Sequence, residues 1–74
     1  MIKQGTNESV EEYARRFRSI LRIATRGQVL HDLYQVNYFI QGLESYLGYQ
    51  VRRDNPANLN DAINVARRKE EAKG

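Results

Sequence analysis

The chain predicts an all-α fold, a small four-helix bundle preceded by a folded-back N-terminal turn. Apolar residues recur at three- and four-residue steps, helix-capping residues stand before those runs, and no segment alternates polar with apolar residues as a half-buried strand does. With no internal repeat or low-complexity segment, residues 1–74 read as one domain.

Residues 1–8 form a turn segment and 9–26 the first helix. Ser9-Val10-Glu11-Glu12 reads as a capping box, in which the Ser9 hydroxyl accepts from the Glu12 amide and the Glu12 side chain returns to the Ser9 amide. Val10, Tyr13, Ala14, Phe17, Ile20, Leu21 and Ala24 then make one apolar stripe, which Gly27 ends. The second helix is expected over 28–42, with Val29, Leu33, Val36, Ile40 and Leu43 as its core face, Phe39 reinforcing it and Gly42 closing it. Leu30, Tyr34, Asn37, Tyr38 and Gln41 fall on a neighbouring face. Two tyrosines and a leucine there exceed what solvation requires, so that face predicts a partner.

A third helix spans 45–53, capped by Ser45 and carrying Tyr46, Leu47 and Val51, against about 1 kcal/mol lost at Gly48 relative to alanine. Asp54-Asn55-Pro56-Ala57 is a loop, because Pro56 biases Asn55 away from helical angles. The fourth helix, 58–72, begins with Asn58 as its cap and Asp61 facing the positive end of the helix dipole. Leu59, Ala62, Ile63 and Ala66 form its apolar stripe, and the tail Arg67-Arg68-Lys69-Glu70-Glu71 should be solvated.

Composition narrows the function classes. A chain of 74 residues with 41% apolar content has one thin core. Such a domain buries only ~60% of the surface its unfolded chain exposes, so self-association would add stability. The absence of cysteine excludes a disulfide framework, zinc knuckles and thiol catalysis, and leaves an intracellular, cytoplasmic setting open. No run reaches the length of a membrane span, and no metal or other cofactor is implied. His31 is the single histidine and no serine carries a paired base, so no catalytic residue is assigned and the chain reads as a non-enzyme.

The most informative pattern lies near the start: Gln4-Gly5, Glu8 three residues after the glycine, then Tyr13, Arg16 and Phe17. Arg15, Arg18, Arg22 and Arg26 occupy the face opposite the apolar stripe, at about 100° per residue. Arg16 instead lies at the stripe's edge, beside Ile23. A chain that turns back at Gly5, using angles a side chain would forbid, brings Gln4 and Glu8 to Arg16 as a charge-assisted network. The simpler account is an ordinary Glu12–Arg16 pair on the helix surface.

These residues resemble the major homology region of retroviral and retrotransposon Gag proteins, which opens the capsid C-terminal domain. Phe39-Ile40-Gln41-Gly42-Leu43 and Leu59-x-x-Ala62-Ile63-x-x-Ala66 resemble gypsy-type retrotransposon Gag more than lentiviral capsids. The resemblance implies that Gln4, Gly5, Glu8 and Arg16 form a structural hydrogen-bond network supporting assembly. It also implies a homodimer within a larger Gag lattice, in a capsid or virus-like particle, with other Gag domains as further partners and no membrane contact. The second helix would pair with its copy through Leu30, Leu33, Tyr34, Asn37, Tyr38 and Gln41. Leu33-Tyr34 stand near the place where the lentiviral dimer helix carries Trp-Met, so the helix carries over and its contact chemistry does not.

Two other readings compete. A basic helical RNA-binding module would use Arg15, Arg18, Arg22 and Arg26 against phosphates, with Arg67, Arg68 and Lys69 adding charge to a net +3 and pI near 9.5. Glu11 is expected to pair with Arg15 and dilute that stripe, leaving nucleic acid a weak or indirect partner. A domesticated Gag or SCAN-like domain would use the same dimer surface to pair cellular proteins, side by side or by exchanging its first segment.

Overall fold

The computed structural model describes residues 2–26, 28 and 30–73, so Gly27 as a helix stop and Val29 as a core residue lie outside the described residues. The chain is all-α: α1 Val10–Ala24, α2 Asp32–Gly42, α3 Ser45–Arg53 and α4 Leu59–Lys73, with no strand among the described residues. None of these helices is long and apolar enough to cross a membrane.

Local chemistry explains the boundaries. Ser9 is extended and its Oγ accepts from the Glu12 N–H at 3.2 Å, while its hydroxyl donates to the Glu12 carboxylate at 3.1 Å. The second half of the expected capping box is therefore different: the carboxylate accepts a charge-assisted hydrogen bond from the Ser9 hydroxyl instead of from the Ser9 amide. α1 stops at Ala24, because Thr25 turns and Arg26 adopts a left-handed φ of 55°. α2 begins at Asp32, later than position 28, because His31 acts as its cap. The His31 Nδ1 accepts from the Leu33 N–H at 3.2 Å, a role that the usual ranking of cap residues does not signal.

α3 occupies 45–53, yet Ser45 is its first helical residue and not its cap. Glu44 holds that position without a side-chain bond, its backbone N–H donating instead to Gln4 Oε1 at 3.1 Å. Asn55 leaves α3 through a left-handed φ of 52°, and not through extended angles, with its N–H on the Arg52 carbonyl at 3.1 Å. Asparagine tolerates that conformation better than most residues. Before α4, Asn58 Oδ1 accepts from the Asp61 N–H at 2.8 Å and Asp61 Oδ2 accepts from the Ala57 N–H at 3.1 Å.

The core centres on three rings, Tyr13, Phe17 and Phe39, with centroids 5.2–6.1 Å apart. Val10, Val36, Ile40, Leu43, Leu47 and Val51 close around them, and α4 lies against the other three helices through Leu59, Ala62, Ile63, Val65 and Ala66. Three apolar expectations fail. Leu33 is 65% exposed, because it stands on the edge of the helical face that Val36, Phe39, Ile40 and Leu43 bury and no described residue covers it. Ile20 and Ala24 are exposed as well, since the far half of the α1 stripe extends past the packed core.

The C-terminal tail is not simply solvated. Glu70, half-buried, accepts from the Val10 N–H through both oxygens at 3.1 and 3.3 Å, satisfying a free amide at the start of α1 from 60 residues away. Lys69 lies 3.6 Å from Asp54.

The demanding glycine is Gly42. A Cβ there would stand 1.9 Å from Tyr13 Oη and 2.7 Å from the Ile2 carbonyl oxygen, so its hydrogen is what lets α1, α2 and the N-terminal segment meet. Gly5 differs from expectation: its backbone is outside the left-handed region, and a Cβ would sit 3.5 Å from Glu8 Cβ, ordinary contact. Gly42→Ala should therefore lower unfolding free energy by about 1–3 kcal/mol through overpacking, while Gly5→Ala leaves it nearly unchanged, as read from urea melts of both variants.

Candidate functional site

The N-terminal segment is fastened to α1 by one carboxylate. Glu8 Oε2 accepts from Arg16 Nε at 2.9 Å, and Glu8 Oε1 accepts from Arg16 Nη2 and from the Gly5 N–H, both at 2.8 Å. This two-point pairing uses the planar fork of the guanidinium, which a lysine could not reproduce. Arg16 Nη2 also donates to the Lys3 carbonyl at 2.6 Å, and the guanidinium carbon lies 6.0 Å from the Tyr13 ring centre. Glu12, the partner in the simpler account, is engaged with Ser9 instead.

Gln4 extends this clasp to a second corner of the fold. Its Nε2 donates to the Glu8 carbonyl at 2.8 Å and its Oε1 accepts from the Glu44 N–H, while its backbone N–H donates to the Gly42 carbonyl at 2.7 Å. The last two bonds satisfy free backbone groups where α2 ends and α3 begins. Gln4, Gly5, Glu8 and Arg16 are thus one bonded unit, and Gln4 ties it to the end of α2.

Electrostatics follow the geometry. The Glu8 side chain is 16% exposed, and its hydrogen bonds from Arg16 and then from Gly5 hold its carboxyl down to about 2, from 4.5. The Arg16 guanidinium is pushed further up by its bond to Glu8. Burial raises the Tyr13 phenol to about 12, and its hydroxyl donates to the Phe39 carbonyl at 3.1 Å.

The α2 residues divide. Tyr34 is 59% exposed and Tyr38 44%, and with Leu33 and Gln41 they form an outward surface on a helix whose other side is buried. Leu30 does not belong to that surface: it precedes α2, half-buried, with its carbonyl accepting from Gln35. Asn37 faces α3, where its Oδ1 accepts from Arg52 at 3.4–3.5 Å. On α1, Arg15, Arg18 and Arg22 are exposed, and Arg18 donates to Asn60 of α4. Arg26 lies beyond the helix end and leaves the row.

Glu70, Arg52 and the close-approach role of Gly42 escaped sequence reasoning because each acts on a partner distant in the chain, although Gly42 as the end of the second helix did not. The His31 cap was local and carried only the signal of a polar residue just before the helix. No protein-family model, curated protein or solved structure matches this chain.

The depressed carboxyl of Glu8 gives a pH signature. Its stabilisation is complete above 4.5, where the unfolded carboxylate is also ionised, and is lost as pH falls toward 2. Thermal midpoints of the parent should therefore drop more steeply across that window than those of Glu8→Gln, which starts lower and lacks the titration.

Proposed function

We propose that this chain is a structural self-assembly domain of the Gag capsid C-terminal type, which links copies of itself through α2 in a capsid-like shell. The observation that carries the reading is the outward face of α2, where Leu33, Tyr34 and Tyr38 stand uncovered on a helix locked into the core by Val36, Phe39 and Ile40. The residue pattern shared with the major homology region supports it. Here that pattern is a clasp that fixes the end of α2 and hence the attitude of its exposed face.

A symmetric pair of α2 helices suits these residues. Tyrosine buries ring area while its hydroxyl stays hydrated or bonded at the rim, and Leu33 adds apolar surface beside it. Asn37 is held by Arg52, so Gln41 and the tyrosine hydroxyls are the groups that set register. An 11-residue helix is about 17 Å long, too short to supply the ~800 Å² per partner of a standard interface. The isolated contact is therefore weak, and a shell recovers strength through the effective concentration of linked neighbours.

Sedimentation equilibrium over a wide concentration range tests this. The parent self-associates, and Tyr34→Ala weakens the association at least about tenfold, ~1.4 kcal/mol, with an unchanged helical spectrum. A parent that stays monomeric to its solubility limit, or a variant that associates like the parent, ends the proposal.

A further inference from the structure

The arginines of α1 acquire a second wall in the folded protein. Two grooves of about 510 and 490 Å³ meet at Arg18 and Asn60, the second along the seam between α1 and α4 and the first continuing from it past the end of α1 to Gln28, Leu30 and the start of α2 at Asp32 and Gln35. Arg22 lines the first, and Arg15 and Arg67 line the second. Sequence alone places Arg67 in a solvated tail that adds charge to the α1 stripe; the packing of α4 brings it to the same groove as Arg15.

These cations are left out of the domain's ion pairs, although one carboxylate lines each groove, Asp32 the first and Glu11 the second. Arg16 is neutralised by Glu8, Arg52 is engaged by Asn37 and Lys69 lies beside Asp54, but Arg15, Arg18, Arg22 and Arg67 form no ion pair among the described residues. The expected Glu11–Arg15 pair is not formed, although Glu11 lines the same groove. Arg18, bonded to Asn60, holds the centre of the row.

We infer that this seam binds the phosphodiester backbone of single-stranded RNA through Arg15, Arg18, Arg22 and Arg67, independently of base sequence. Arg15, Arg18 and Arg22 advance by about 4.5 and 6 Å along the helix axis, a row that a linear polyanion meets at each step and a single phosphate cannot fill. Arginine offers each phosphate a bidentate fork, and the side-chain amides of Asn60 and Asn64 add neutral donors. No aromatic side chain lines either groove, so bases find no stacking platform and contribute no discrimination. Leu33, Tyr34, Tyr38 and Gln41 line neither groove, so strand binding and α2 pairing are separate properties.

Fluorescence polarisation with labelled oligouridine and oligoadenine over a salt series tests the inference. The parent binds both alike, with log affinity falling against log salt at a slope near about −2.8 for four neutralised phosphates. Arg15→Gln/Arg67→Gln, which removes two exposed groups that make no ion pair, weakens binding at least about tenfold and reduces the slope by about 1.4. Arg53→Gln at the end of α3 changes affinity less than about twofold. Absence of binding by the parent at physiological salt, equal losses in the seam and Arg53 variants, or a marked preference for one base would each overturn it. Thermal melts of each variant confirm the fold, and the Arg15→Gln and Arg67→Gln singles supply the readout if the double variant does not fold. The self-association measurement on Tyr34→Ala is independent of every one of these outcomes.

Discussion

The structure depends on a half-buried carboxylate whose two oxygens are both engaged. Glu8 receives two nitrogens of Arg16 and the amide of Gly5, so the cost of withdrawing its charge from solvent is met by bonds on both oxygens. Its neighbour Gln4 transmits that anchoring to the α2–α3 corner. An N-terminal segment whose single described apolar side chain packed on the core is Ile2 thereby becomes a fixed part of the domain. Steric closeness does the rest: the Ile2 carbonyl and the Tyr13 hydroxyl approach a bare glycine at 42.

The start of α1 is held from two directions. The turn segment grips one side through Arg16, and Glu70 reaches the Val10 amide from the last helix. For a chain of 74 residues with a thin core, such polar ties between distant segments matter more than in a larger domain, where buried area alone suffices. The ties also fix the helices whose outer surfaces carry the exposed groups.

Two such features carry the functional proposals, and they differ in chemistry. On α2 the exposed groups are apolar and aromatic, suited to a copy of the same surface under a two-fold axis. Along the α1–α4 seam they are cationic and unpaired, suited to a phosphate strand. Because the two sets share no residue, one fold can present a weak protein contact and a polyanion contact together.

The sequence by itself determined the four helices and most of their limits, and it offered the grouping of Gln4, Gly5, Glu8 and Arg16 beside a simpler Glu12–Arg16 pair. Those features arise from short-range periodicity, caps and the spacing of a motif within sixteen residues. It misplaced Leu33 and Ile20, because periodicity identifies an apolar face and cannot say how far the covering helices extend. It assigned Gly5 a conformational role that no described glycine takes, while the strict glycine, Gly42, is required by the close approach of two other segments, at Ile2 and Tyr13. Only the tertiary structure decided that Glu70 closes α1, that Asn37 turns inward to Arg52, and that Arg67 joins the arginines of α1. Each is a meeting of residues far apart in the chain, and such meetings are set by how helices pack, a quantity that no local pattern encodes.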